Sequence, residues 1–307
     1  MTAPMPSIGV IGAGAVGQAV GGALVASGLS RRLLVASRTV GQAEALADDL
    51  DDMRSTLGSP VRPCAAEVED LRACAAVVVV VRARFANTRS ADVRVGGIQA
   101  NTPVVRDLAV RLADYTGTVL VVTNPVDLMT RWFAEESRCP RVFGIGSSLD
   151  SARYRLTLGR LLGVPPAAVS GHVIGEHGDT SVVCASSTLV NDQPVPVPIQ
   201  QVRDELARRP GRINLGIGRT RFGPAGAVLS ALRLALGVED GTTELSVAHA
   251  GDWCGIPVRF TGGDPVPSLP PLDSTEDRQL EVSRSKLRAA YQAVRGVPLQ
   301  PSPCGRN

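Results

Sequence analysis

With 307 residues, 44% of them hydrophobic and 20% charged, the chain has the length and apolar content for one large or two modest globular domains. A net charge of only +3, scattered arginines and 3% aromatics argue against nucleic acid as the main partner, and no apolar stretch approaches the roughly 18 residues of a membrane-spanning helix. The six cysteines (Cys64, Cys74, Cys139, Cys184, Cys254, Cys304) lack C-x-x-C spacing, which indicates neither a metal site nor a disulfide framework; with no basic leader, a cytoplasmic protein of reduced thiols is expected.

Ser7 to Gly12 is a short apolar run that ends in Gly12-Ala13-Gly14-Ala15-Val16-Gly17 and leads into a small-residue helix stopping near Gly28. In a strand–turn–helix of this kind the first glycine permits the tight turn and the second lets backbone approach a pyrophosphate. The third lets helix pack on strand, and the phosphate charge sits at the helix N-terminus. Leu33 to Ala36 reads as the second strand, at whose end an acidic residue would take the ribose hydroxyls of NAD. Here the chain has Ser37-Arg38-Thr39 instead. Two hydroxyls and a guanidinium suit the extra phosphate of NADP, by charge-assisted, two-pronged bonding; the bland alternative is that Arg38 stacks on the adenine or faces solvent. NADP is therefore expected, with NAD as the weaker alternative.

The helical spacing of Val40 to Arg54 carries its acids on a solvated face. Ala75 to Val81, almost unbroken valine, and Val119 to Thr123 read as strands buried on both faces of a parallel sheet. Alternating helices make the first half doubly wound, a Rossmann arrangement. Between these strands, residues 82–94 form an Arg-rich stretch at a strand's C-terminal end, either an active-site lid or a loop whose charges keep it soluble. After the next strand comes Thr123-Asn124-Pro125-Val126-Asp127, in which Val122 and Asn124 are candidates for the nicotinamide end of the cofactor and Asn124 also for a substrate oxygen. Asn-Pro is equally a common turn signal. A cis bond before Pro125 is open from sequence.

From about residue 149 the pattern changes, setting a dinucleotide-binding domain at 1–148 and an α+β substrate domain at 149–307. Leu149-Asp150-Ser151-Ala152-Arg153 offers a carboxylate and, one helical turn on, a guanidinium. Gly175-Glu176-His177-Gly178-Asp179-Thr180 holds one of only three histidines between glycines, an open setting suited to proton transfer. A Pro-rich excursion follows, then a helix over Ile199 to Arg209, the stretch Arg219-Thr220-Arg221-Phe222-Gly223-Pro224 opening another helix, strands over Leu245 to Phe260, and a last helix over Ser274 to Val294. The tail from Pro298 is expected to fray.

Taken together and in this order, the glycine turn, Thr123–Asp127, Leu149–Arg153, Gly175–Thr180 and Arg219–Pro224 resemble the lactate/malate dehydrogenase family over about residues 7–295. The resemblance implies a homo-oligomer that reduces a small 2-oxo acid. It implies His177 as proton donor, Asp150 as its orienting partner, Arg153 as the clamp on the substrate C1 carboxylate, Asn124 as a ligand of substrate and nicotinamide, and Thr220 in the pocket wall. Counting back from Asn101 to Leu108, Arg94 falls at the loop arginine that polarises the ketone and Asn101 at a cofactor-contacting position. The family's loop glycine and Pro-Arg-Lys-Pro-Gly stretch are missing. The position that is Arg in malate enzymes falls on Thr88, with Arg89 one residue later, so the particular 2-oxo acid stays open. Arg82 and Arg84 stand where the family has small residues, which implies a displaced loop or an extra anion contact. The competing reading is a catalytically silent NADP-binding regulator on the same fold; intact Asp150, Arg153 and His177 favour the enzyme.

Overall fold

The computed structural model describes residues 6–83 and 93–295, with backbone alone for residues 93–96. The first half alternates strands and helices: β1 (Ser7–Ile11), α1 (Ala15–Ser27), β2 (Arg32–Ala36), α2 (Val40–Leu57), β3 (Arg62–Ala65), β4 (Ala76–Val79), α3 (Val93–Arg111), β5 (Thr118–Val121), α4 (Val126–Ser137) and β6 (Val142–Gly144). These six strands run parallel in the order β3-β2-β1-β4-β5-β6, with the chain reversing direction of travel across the sheet after β3. The sequence explains why the centre is so dry. All four residues of β4 and of β5 are buried, and β-branched side chains fit a pleated surface covered on both faces.

α1 buries Gly17, Val20, Gly21, Leu24 and Val25. Its neighbour α2 can come close because a Cβ at Gly21 would stand 2.7 Å from Leu50 Cδ1. Both valine-rich strands are shorter than their apolar runs suggest. Thr123 has already left β5, and its hydroxyl donates to the Val81 carbonyl at 2.8 Å, which ties the ends of two neighbouring strands together.

The second half contains α5 (Ser147–Leu162), the short strands β7 (Val169–Ser170), β8 (Val173–Ile174), β9 (Val182–Val183), β10 (Leu189–Val190) and β11 (Gln193–Pro194), then α6 (Ile199–Ile217), α7 (Phe222–Ala235), β12 (Gly241–His249), β13 (Asp252–Thr261), β14 (Asp264–Pro267) and α8 (Ser274–Arg295). α6 runs two turns beyond the expected end at Arg209. Pro210 lies inside it, giving up one N–H donor without ending the helix. Both hairpins of β12–β14 turn on two residues with positive φ, Ala250-Gly251 and Gly262-Gly263, the backbone twist that two-residue hairpins favour.

β12 pairs antiparallel with β6 through Ser246 and Gly144, so one nine-stranded sheet runs across position 148, in the order β14-β13-β12-β6-β5-β4-β1-β2-β3. Gly144 is required at that seam, since a Cβ would meet Thr130 Oγ1 at 2.4 Å and Ser246 Cβ at 2.7 Å. A smaller core of Tyr154, Leu158, Val169, Val173, Val183, Val190 and Val202 sits beneath α6. The five cysteines among the described residues are free thiols, and burial pushes Cys74 and Cys254 up to about 11. Among the described residues no helix is long and apolar enough to cross a membrane.

Candidate active site

The C-terminal ends of the parallel strands gather the residues singled out in the sequence. Gly12 adopts φ 123°, and a Cβ there would lie 2.8 Å from the Val80 carbonyl at the end of β4. Gly17 is the packing glycine: its Cβ would come within 1.8 Å of the Gly12 carbonyl oxygen. Gly14 is different. It is the N-cap of α1, makes no side-chain cap, and a Cβ there would meet nothing within 4 Å. The turn Ala13–Val16 thus presents uncapped helix N–H groups and the positive end of α1 to open space, which fits an anionic pyrophosphate.

At the end of β2, Ser37 donates its hydroxyl to Gln42 Oε1 at 3.1 Å, while Thr39 caps α2 by accepting the Gln42 N–H at 3.3 Å. Arg38 between them is exposed. The first acid after β2 is Glu44, inside α2 and exposed, so no carboxylate stands at the strand end.

Val122 follows β5, half-buried, and the Asn124–Pro125 peptide is cis. Asn101, on α3, is 3% exposed and joins two strand ends: its Oδ1 accepts from the Ala83 N–H and its Nδ2 donates to the Asn124 carbonyl, both at 2.8 Å. The Asn124 side chain is exposed above this tie. Arg94 belongs to the first turn of α3 by its backbone; its side chain, Arg84, Thr88 and Arg89 lie outside the described residues.

Asp150 and Arg153 lie in the first turns of α5, and the 175–180 segment folds against them. His177 Nδ1 donates to Asp150 Oδ2 at 2.6 Å, which leaves Nε2 for chemistry, and Arg153 Nη1 stands 3.5 Å from Asp150 Oδ1. Arg153 is 7% exposed. Burial pulls its guanidinium below the ordinary value, against the pull of Asp150. At His177 burial also opposes the cation. The Asp150 carboxylate, by charge and hydrogen bond and with Asp127 behind it, outweighs burial and Arg153, so the imidazole pKa is raised above 6.5.

Several residues that build this site carry no chemistry of their own in the sequence. The buried Asp127 accepts the His177 backbone N–H at 2.8 Å, and burial pushes its carboxyl up to about 6. Gly146, the N-cap of α5, leaves room for the imidazole, since a Cβ would lie 2.8 Å from His177 Cβ and Cγ. Gly175 pairs with Gly255 of β13 through two hydrogen bonds, 2.8 and 2.9 Å. From α8, Ser283 Oγ accepts the Glu176 N–H at 2.6 Å, and Lys286, the chain's single lysine, bridges Glu176 at 2.8 Å and Asp179. Thr220 is half-buried in the α6–α7 connection, and the first turn of α7 reaches α5, where a Cβ on Gly223 would meet Leu149 Cδ1 at 2.9 Å.

A doubly wound sheet with an uncapped glycine turn after β1, and a histidine–carboxylate pair beside a buried arginine on the helix that follows β6, is the architecture of an oxidoreductase that uses a nicotinamide dinucleotide. The lactate/malate dehydrogenase NAD-binding domain model matches residues 7–144, and the lactate/malate dehydrogenase alpha/beta C-terminal domain model matches residues 147–209. The chain belongs to the lactate/malate dehydrogenase family. It is 28% identical to an L-lactate dehydrogenase of Chloroherpeton thalassium, over 94% of this chain and 99% of that one. To an L-2-hydroxycarboxylate dehydrogenase (NAD(P)(+)) of Methanocaldococcus jannaschii it is 27% identical, over 90% and 94%. The fold of the Cryptosporidium parvum malate dehydrogenase superposes with a TM-score of 0.85 at 24% identity, covering 95% of this chain and 99% of that one.

Proposed function

We propose that the protein is an NADP(H)-preferring 2-hydroxy acid dehydrogenase that reduces a 2-oxo acid, with residues 1–148 holding the dinucleotide and residues 149–307 the substrate, and that it works as a homo-oligomer in the cytoplasm. The observation that carries this reading is the His177–Asp150–Arg153 cluster, drawn together from two separate segments of the chain.

When bound, the nicotinamide supplies the hydride to the ketone carbon. Gly12 to Gly17 hold its pyrophosphate, Ser37, Arg38 and Thr39 the phosphate on the ribose, and Val122, Asn124 and the strand ends tied by Asn101 the nicotinamide end. Arg153 grips the substrate C1 carboxylate with its planar fork. His177, protonated and held by Asp150 through Nδ1, delivers the Nε2 proton to the ketone oxygen as charge develops there. Arg94 stabilises that charge, and removing one such donor costs on the order of 3 kcal/mol. Asn124 and Thr220 position the substrate, and Thr88 or Arg89 lines its far end.

NADPH is favoured over NADH by on the order of 100-fold, about 2.7 kcal/mol, because Arg38 stands where an acid would repel the extra phosphate. Arg38→Ala loses most of that preference. A spectrophotometric screen of 2-oxo acids with both cofactors tests the whole reading: equal kcat/KM for the two cofactors removes the NADP assignment, and NADPH binding without turnover of any 2-oxo acid leaves the silent regulator.

A further inference from the structure

α6 carries a half-buried arginine, Arg209, that the family motifs do not include. Along α6, Ile199, Val202, Leu206, Arg209 and Ile213 recur at alternating steps of three and four, a single stripe, and none of them is exposed. Val202, Ile199 and Leu206 pack into the small core with Tyr154 and Leu158 of α5, so this stripe faces α5. Soon after α6 ends, Gly223 touches Leu149 at the start of α5. The two helices therefore run antiparallel, and Arg209, one turn beyond Leu206, comes level with the first turns of α5, where Asp150 and Arg153 lie.

The charge balance there is uneven. The Arg209 side chain is 21% exposed, and its carboxylate partner is Glu205 at 3.4 Å. Glu205 is held more closely by Arg212, at 2.7 Å, on the outer side of the helix. Asp150, 3.5 Å from Arg153, is shared with His177, to which it is hydrogen-bonded at 2.6 Å. Arg209 is close enough to Arg153 for its charge to be among the causes that lower the Arg153 pKa. Three guanidiniums, the buried Arg153, the half-buried Arg209 and Arg212, share two carboxylates, Asp150 and Glu205, which leaves positive charge that an anion would offset.

We propose that Arg209 is a specificity-determining residue of the substrate pocket, placing a second guanidinium across from Arg153, and that the preferred substrate is a 2-oxo acid with a second carboxylate. This rests on the reductase reading above. The C1 carboxylate takes Arg153, and the distal carboxylate takes Arg209 from the α6 side.

The test is kcat/KM for pyruvate, oxaloacetate and 2-oxoglutarate with NADPH, in the unmutated protein, Arg209→Gln and Arg209→Lys. The unmutated protein is expected to prefer one of the dicarboxylates, and Arg209→Gln to lower the dicarboxylate-to-pyruvate ratio by on the order of 30-fold, mainly through KM, with Lys restoring part of it. A pyruvate preference in the unmutated protein, or an unchanged ratio in Arg209→Gln at unchanged melting temperature, overturns the proposal and leaves the reductase standing, with selection resting on the loop around Arg89. If no 2-oxo acid is turned over, the reductase reading fails, and calorimetric titration of malonate and acetate into the NADPH-saturated protein decides the pocket. Malonate binding on the order of tenfold weaker in Arg209→Gln, with acetate little changed, keeps the dianion site; equal malonate affinity removes it.

Discussion

His177 stands between a burial cost that would keep it neutral and two carboxylates that would charge it, and the carboxylates prevail. The sign of this balance sets how activity responds to pH. Reduction needs the imidazolium, so it holds at low pH and falls as pH rises through the His177 pKa, which lies above 6.5; oxidation needs the neutral ring and rises over the same window. Asp150→Asn keeps an acceptor for Nδ1–H but removes the charge. Burial, the largest cause acting on the ring, is then offset by Asp127 alone, and the pKa falls. The alkaline limb of the reduction profile is therefore expected to move to lower pH, with a loss on the order of 100-fold at mildly alkaline pH. A limb that stays in place in the Asn variant would show that another group donates the proton. The sequence made the pair visible because Asp150, Arg153 and His177 are chemically distinctive residues in compact motifs. The role of Asp127 is not legible in its motif, since nothing local says that a backbone N–H 50 residues away will end on its carboxylate. Gly146 is similarly silent: its function is an absent side chain, and only the folded ring shows what that absence admits.

Among elements, the glycine turn and α1 separate two requirements that a motif merges. Gly17 answers to packing, since its Cβ would fall 1.8 Å from the Gly12 carbonyl, whereas a Cβ on Gly14 would meet none of the described residues within 4 Å. Gly17→Ala is therefore expected to destabilise the fold by about 1–3 kcal/mol or more, through an overpacked contact with rigid backbone. Gly14→Val leaves the melting temperature near that of the parent but weakens NADPH binding by on the order of tenfold or more, because it fills the approach to the helix N-terminus. Thermal melts and NADPH fluorescence titrations of both variants check this. If Gly14→Val bound NADPH as the parent does, the pyrophosphate would have to lie elsewhere. Other elements were less legible. α6 outruns its expected end at Arg209 because proline forfeits one bond while the turns on either side keep theirs. The clamp of α8 on the histidine loop joins residues more than 100 positions apart, through Ser283 and a lysine with no motif around it.

At the scale of the molecule, the change of pattern near residue 149 is real in sequence, yet the sheet does not stop there. Whether β12 joins β6 depends on which edge the first six strands leave open and on a seam narrow enough to need Gly144, and neither is written in the local pattern of β12. Further ties cross the same line. Arg141, at the entry to β6, donates through Nη2 to the Ala235 carbonyl at 2.9 Å and the Gly263 carbonyl at 2.8 Å, while its Nε is anchored within the first half on Thr118 Oγ1 at 3.1 Å. Tyr291 of α8 stacks against Trp132 of α4 with ring centroids 4.7 Å apart, and Arg131 lies 3.6 Å over the Tyr291 ring. A chain joined in this way should unfold as one unit. Its two tryptophans report on opposite halves, Trp132 on α4 and Trp253 on β13. Single-tryptophan variants, Trp132→Phe and Trp253→Phe, let urea unfolding of each half be followed by fluorescence on its own. The two curves are expected to coincide with each other and with far-ultraviolet circular dichroism once corrected for the stability of each variant. Adding Arg141→Met, which leaves two carbonyls without their charged donor, should destabilise the chain by about 3 kcal/mol and lower both midpoints together. Should Trp253 report unfolding well before Trp132, the antiparallel strands would be a separate cooperative unit laid along the edge of the parallel sheet, and Arg141→Met would then shift the Trp253 curve alone.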